Sequence, residues 1–375
     1  MRSPALRHVI THLITPLLMC IGMGLAYMGA FVTPAPHHLP VAVVGSGPQV
    51  KVFAQTVKDE AGDKLDVRTV ATRSDAVHLL DSRAITGAYV PGAKTPELVV
   101  ASAASDMDAT AVEKVFTPVA AQQGAALKVT DVAAPVDDDP TGQGLFFLLI
   151  ALSIGSYASV AALGAAGGTL PMRIRALLAL GVSAVVSGIG ALLAGPVFHL
   201  AHHDLANLWG MAWLYSAGIL FVGVGLHTFL KRWTTLAMMV LFVMLNFTSS
   251  GGLFRPDLQN GFFGTLHAFW NGAGFVEGAR SLLYFGGDGL TRNVWTLAAW
   301  LLLGLAVTGI AAAYERSRAR AAGTAAAPVS APEETVVADA TATAEEGAST
   351  AKEGASTAEE GSATAEEEVE ETVGV

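Results

Sequence analysis

Apolar side chains in this sequence fall into blocks of about 20 residues, the length at which a helix rising 1.5 Å per residue crosses a hydrocarbon layer of ~30 Å. A chain so patterned cannot hide its oily surface in a water-soluble core. Of its 375 residues, 52% are hydrophobic and only 14% are charged, against about 25% charged in an ordinary soluble domain. Six blocks read as transmembrane helices: 9–32, 145–167, 176–198, 208–230, 233–247 and 294–313. The fifth is short, and tilts little or extends to Ser250.

The first block follows Arg2 and Arg7 and has small residues near Ala30, the order found in a secretory signal. It is longer than the 7–15 apolar residues of such a segment, and an uncleaved span fits the rest of the topology equally well. A lipoprotein reading of Leu17-Leu18-Met19-Cys20 is disfavoured by the methionine directly before the cysteine. Cys20 is the only cysteine, so no disulfide forms within the chain.

Lysines and arginines in short loops set orientation, because they stay on the cytoplasmic side. Arg2 and Arg7, Arg173 and Arg175, Lys231 and Arg232, and Arg316, Arg318 and Arg320 all fall on one side of a six-span layout. Both termini are therefore expected in the cytoplasm, and residues 33–144 outside. That segment reads as an α/β domain in the order β-α-β-α-β-β-α-β: strands at 41–44, 67–71, 87–90, 97–101 and 127–132, and helices at 50–57, 75–85 and 108–123. Ser74 is a candidate cap for the second helix. The fold class is thus a polytopic α-helical membrane protein with six transmembrane helices and an extracellular α/β domain between the first and second.

Residues 145–313 form the five remaining spans, interrupted at 249–292 by a stretch too polar to cross simply and too apolar for an ordinary loop. Phe262, Phe263, Phe269, Trp270, Phe275, Tyr284 and Phe285 suggest short interfacial or re-entrant helices there. From Ala321 onward the chain carries 13 acidic residues and one lysine, so the net charge of −10 belongs to this tail. Its seven-residue repeats offer only alanine where a coiled-coil seam needs larger side chains, and each contains a glycine, so 314–375 reads as a disordered cytoplasmic tail.

Chemistry-bearing motifs are few. There is no G-x-x-x-x-G-K-[ST] loop, so energy for any transport comes from a partner or a gradient. Gly45-Ser46-Gly47 lacks the third glycine of a dinucleotide site and reads as a tight turn. His199, His202 and His203 have the i, i+3, i+4 spacing that would gather three imidazoles on a helix, and with Asp204 beside them they are metal candidates against the plainer reading of a polar interfacial loop. His37 and His38 lie on the same side. Glu277 and Arg280, three apart, suit a helical ion pair in the interrupted segment. Gly164-x-x-x-Gly168 and Gly274-x-x-x-Gly278 permit close helix packing. No nucleophile or metalloprotease motif is present in the sequence, so neither enzymatic activity nor a cofactor is expected.

The layout of one span, an outer α/β domain and five further spans resembles the type 2 ABC exporter permeases, and among them the phage-infection-protein-like branch. Leu39-Pro40-Val41-Ala42-Val43-Val44 looks like that family's first extracellular strand, and Ser74-Asp75-Ala76 with Arg83-Ala84-Ile85-Thr86-Gly87-Ala88-Tyr89-Val90-Pro91 like its helix leading into a strand. Asn246 to Gly252 and Phe254-Arg255-Pro256 resemble the end of its fifth span and the following turn. The likeness covers roughly Met1 to Arg320. It implies export of a hydrophobic or amphipathic substrate by a permease dimer, driven by a separate cytoplasmic ATPase. On that reading Arg173 and Arg175 form the cytoplasmic ATPase contact, and the 249–292 segment with Glu277 and Arg280 forms an extracellular gate. The partners expected are the lipid bilayer, an ATPase in trans and a second copy of the chain, with no nucleic acid. The rival reading is a receptor or scaffold whose outer domain binds a ligand or envelope component.

Overall fold

Short apolar stretches build the sheet that the sequence leads one to expect, its central strands buried on both faces. The structure, a computed structural model, describes residues 4–92 and 94–325; Arg2 and the tail from 326 onward lie outside the described residues. Strands β1 (Leu39–Val44), β2 (Leu65–Val70), β3 (Gly87–Val90), β4 (Glu97–Val100) and β5 (Lys128–Asp131) form one sheet in the order β2-β1-β3-β4-β5. All neighbours are parallel except β3 and β4, where Ala88 pairs with Val99 across an antiparallel turn.

Because successive strand residues point to opposite faces, Leu39, Val41 and Val43 meet α2 (Pro48–Ala61) and α4 (Asp106–Gln122), while Ala42 and Val44 meet α3 (Arg73–Asp81). Tyr89 stacks between Phe53 and Phe116, with ring centroids 5.4 and 5.0 Å away. The Gly45-Ser46-Gly47 turn needs its first glycine: Gly45 has φ +136°, and a Cβ there would lie 2.7 Å from Val50. The cap of α3 is Thr72, not Ser74. Thr72 Oγ1 accepts from the Asp75 amide at 3.1 Å, and Asp75 accepts back from the Thr72 amide at 3.0 Å. The helix stops at Asp81 rather than continuing to 85 because Arg83 turns into the left-handed region, with φ +56°.

The rest of the described chain is helical. After α1 (Pro4–Phe31) and the α/β domain come α5 (Gly144–Ala166), α6 (Met172–Leu192), α7 (Leu205–Leu230), α8 (Thr234–Met239), α9 (Leu245–Ser249), α10 (Gly261–His267), α11 (Asn271–Tyr284) and α12 (Leu290–Ala325). Among the described residues, five helical stretches are long and apolar enough to cross a membrane: Leu13–Phe31, Gly144–Ala166, Met172–Val197, Leu205–Ser249 and Leu290–Ala322. Their burial is inverted relative to a water-soluble bundle. Leu17, Ile21 and Leu25 on α1, Leu177, Val185 and Ile189 on α6, and Leu302 and Ile310 on α12 are exposed, whereas Ser153, Ser156, Ser183, Ser187 and Ser216 are buried. That pattern suggests a membrane-embedded protein.

Helix α7 runs through the centre, buried on every side from Tyr215 to Gly225. The expected fourth and fifth blocks form one helical stretch of 45 residues, about 67 Å if straight. It is not straight. Lys231 adopts φ +47°, and Tyr215 and Asn246, nearly equidistant from it, meet through their side chains, so α7 and α8–α9 form an antiparallel hairpin with a π-helical turn at Val240–Met244.

Close helix approach depends on glycine at the crossing of α7 and α12. A Cβ on Gly225 would sit 2.7 Å from the Thr308 backbone nitrogen. Gly225→Leu is therefore expected to separate the two helices at a cost of about 1–3 kcal/mol or more, read as a lowered thermal midpoint of the detergent-solubilised chain. An unchanged midpoint would show that the crossing is not tightly packed.

The bundle has two unlike ends. At one, Arg175 and Thr228 both bond Glu315, which brings the start of α6, the end of α7 and the later part of α12 together. At the other sits the α/β domain, joined through Asp139, whose carboxylate accepts from the amides of Gln143 and Gly144 at 3.1 and 2.7 Å and caps α5.

Candidate functional site

A helix that starts inside the bundle and ends on the α/β domain organises the site. Helix α11 begins at Asn271, whose Nδ2–H donates to the Tyr215 carbonyl at 3.3 Å, while the Gly272 amide donates to Asn246 Oδ1 at 2.6 Å. Asn246 also bonds Tyr215 Oη, which bonds Ser153, so one buried polar knot ties α5, α7, α9 and α11. From there α11 lies antiparallel to α12, with Gly274 against Thr296 and Gly278 against Asn293. Its far end delivers Tyr284 and Phe285 to the α3 face of the sheet. With α10 it makes a short helical hairpin whose closed end, at Trp270, packs on Trp300.

Along α11, the i, i+3 pair expected from sequence is present: Arg280 Nη1 donates to Glu277 Oε1 at 2.9 Å. Three partners not legible in the sequence complete it. Arg83, from the left-handed turn after α3, donates to Glu277 Oε2 at 2.8 Å and to Ser281 Oγ at 2.5 Å, and its guanidinium lies 5.3 Å from the Phe285 ring centroid. Arg280 also donates to the Gly251 and Gly252 carbonyls at 2.8 and 3.2 Å, satisfying the turn that follows α9. His267 Nδ1 is 3.0 Å from the Ser249 carbonyl. The strained backbone at Arg83, worth about 1–3 kcal/mol, is held by these side-chain bonds.

A third arginine, Arg255, is differently placed. Its Nε lies 3.9 Å from Asp108 Oδ2 without a hydrogen bond, and neither carboxylate oxygen of the buried Asp108 has a hydrogen-bond partner among the described residues. Burial pushes the Asp108 carboxyl up to about 6, and the positive charge of Arg255 only partly offsets that. Burial likewise lowers Arg83 from its ordinary value, with Glu277 acting in the opposite direction.

These groups surround a polar cavity of about 350 Å³, lined by Arg83, Arg255, Asp257, His267, Glu277 and Arg292 among others. Sharing Arg292 and Thr296 with it is a second, apolar cavity of about 620 Å³ walled by Phe269, Trp270, Trp295, Ala299, Trp300 and Leu303. The pair forms a cationic hollow opening onto an aromatic groove.

The other sequence candidates fall elsewhere. His199, His202, His203 and Asp204 lie in a non-helical loop, with φ +52° at His199 and +55° at Asp204, so the spacing that would have gathered them does not apply. His202 and His203 each stand 4.0 Å from an aspartate, Asp138 and Asp204 respectively, and no group of three or more His, Cys, Asp or Glu fit to hold a metal occurs among the described residues. The backbones of His37 and His38 bond Asp257 and Asp63 instead. Arg175 is turned inward, its Nε–H to the Leu170 carbonyl at 3.1 Å and its Nη2 on Glu315, which leaves Arg173 as the exposed member of that pair. Arg175 is therefore not available as a direct surface contact.

No signal along the chain could have found Arg83, Arg255 or Asp108 as site residues, because their partners lie far away in sequence and no periodicity links them. Comparison with protein-family models, with curated proteins and with solved structures gave no match for this chain.

Proposed function

We propose that this chain is a permease-like membrane protein that exports a hydrophobic or amphipathic substrate with a separate ATPase. In this reading it crosses the cytoplasmic membrane six times, the hairpin of α7 and α8–α9 supplying two of the crossings, and the α/β domain stands outside. Support for the orientation comes from the basic residues near the Arg175–Glu315 end, Arg173, Lys231, Arg232, Arg316 and Arg318, which lie opposite the α/β domain.

The single observation that carries the transport reading is the interrupted helix. α10 and α11 dip to the depth of Trp270 and return, and the α11 N-terminus meets the buried Asn246–Tyr215 knot inside an apolar bundle. Discontinuous helices whose ends reach polar groups at mid-depth are the construction by which transporters place a path between two faces. Because α11 also ends on the α/β domain, a displacement of that domain is transmitted along a rigid helix to the bundle interior. The segment thus serves as the gate, Glu277 fixing it to the domain through Arg83 and Arg280 fixing it to the turn after α9. Exposed Arg173 is the contact for the ATPase, and Arg175 braces α6 against α12 behind it.

Pull-down of the full chain from native membrane in mild detergent is expected to recover an ATPase, and Arg173→Glu to diminish that recovery. Repeated recovery of no ATPase, together with unchanged cellular retention of fluorescent amphiphiles when the chain is deleted, overturns the proposal.

A further inference from the structure

The two joined cavities differ in chemistry along a single helical stripe. Arg292, Trp295, Thr296, Ala299, Trp300 and Leu303 recur at spacings of three and four on α12, so they share one face. Arg292 stands two residues inside the helix, at the end nearest the α/β domain. From Arg292 to Leu303 the helix rises about 16 Å, which is roughly the depth of one leaflet in a hydrocarbon core of ~30 Å. Cation at the rim and aromatic wall below is the profile of a lipid lying along the helix.

The side chains are prepared for such a guest. The indole N–H groups of Trp270 and Trp300 are already spent, on the Leu241 carbonyl at 3.1 Å and the Phe269 carbonyl at 2.9 Å, so both rings hold fixed positions. Trp295 is 68% exposed and Phe269 51% exposed, leaving the groove uncovered. At its head, Arg292 makes one hydrogen bond, to the Ala268 carbonyl at 3.3 Å, and the buried Nε–H of Arg255 makes none among the described residues, so guanidinium N–H groups remain to be satisfied in the shared polar hollow, where Arg83, Arg255 and Arg292 outnumber the carboxylates of Asp257 and Glu277.

We infer that this groove binds an anionic membrane lipid, with its phosphate in the hollow beside Arg292 and Arg255 and an acyl chain along Trp295, Trp300 and Leu303. Charge complementarity selects the anionic head over a zwitterionic one, and the apolar stripe selects a lipid over a free anion. The inference deepens the export reading by naming an amphiphile class for its substrate, and it rests on 290–322 crossing the membrane.

The test uses the full chain reconstituted in vesicles, with tryptophan fluorescence quenched by acyl-brominated phosphatidylglycerol or by acyl-brominated phosphatidylcholine at equal mole fraction. Phosphatidylglycerol is expected to quench with about fivefold higher apparent affinity, the preference that one interfacial arginine confers on an anionic head. Arg292→Gln is expected to remove that preference and Arg292→Lys to restore most of it. Leu303→Gln, which keeps the charge and every tryptophan and tests the groove itself, is expected to lower the apparent affinity for both lipids. Millimolar inorganic phosphate is expected to leave the quenching unchanged. Equal quenching by the two lipids, a preference that survives Arg292→Gln, or displacement by phosphate overturns the inference. None of these results bears on ATPase recovery, and failure to recover an ATPase leaves the lipid preference standing, so the two proposals fail separately.

Discussion

Glu277→Gln is expected to destabilise the folded chain by about 3–5 kcal/mol, the cost of removing one partner from a buried ion pair. The carboxylate is 12% exposed and accepts from two guanidiniums, Arg83 at 10% and Arg280 at 3% exposure. A neutral amide leaves two buried cations with only carbonyl and hydroxyl partners. The loss is also directional, because Arg83 is the side chain that joins the α/β domain to α11. Hydrogen exchange is expected to accelerate first in α3 and in residues 281–289, before the far end of the bundle responds. Arg83→Met combined with Glu277→Gln is expected to cost less than the sum of the two single changes, since both act on one interaction. A loss below about 1 kcal/mol for Glu277→Gln would mean that the cluster is solvated and does not hold the domain.

The second large effect depends on pH and comes from Asp108. Its folded-state pKa, about 6, lies above the ordinary 3.8, so the folded chain binds a proton that the unfolded chain has released. The sign follows from linkage: stability rises as pH falls through about 6 and levels off near 4, and above 6 the full penalty of the buried charge is present. Two pKa units correspond to about 3 kcal/mol at 1.36 kcal/mol each, and at 1% exposure water screens little of this. Arg255 does not cancel the penalty because its Nε stays 3.9 Å away without a hydrogen bond. The change in thermal midpoint between pH 7.5 and pH 5 in detergent is expected to be more favourable in the native chain than in Asp108→Asn, against the opposing loss from buried His267, whose pKa burial lowers. Asp108→Asn is expected to remove the Asp108 contribution to that change and to raise the midpoint at pH 7.5. A midpoint that falls on acidification through this window in the native chain but not in Asp108→Asn would show Asp108 to be stabilised as a carboxylate.

Local patterning made the elements legible. Short apolar stretches bounded by turn residues located all five strands of the sheet, and apolar blocks located the long helices, because both depend on which side chains must leave water over short spans of chain. The i, i+3 spacing of Glu277 and Arg280 was likewise sufficient for their pair. Local reading misled where backbone geometry broke the assumed helix. His199 to Asp204 kept their spacing but not the helix that would have gathered them, and α3 ended early at Arg83.

What the order of residues determined by itself was the partition between oil and water: which stretches are too apolar for solvent, and which segment could fold as a sheet-bearing domain. What tertiary structure alone decided was the pairing of charges. Arg83 reaches Glu277 across 194 positions, Asp108 faces Arg255, and Arg175 turns inward to Glu315 across 140. Burial is a property each side chain carries with it, whereas the partner of a buried charge is fixed by chain segments that meet only after folding, and no periodicity encodes that meeting.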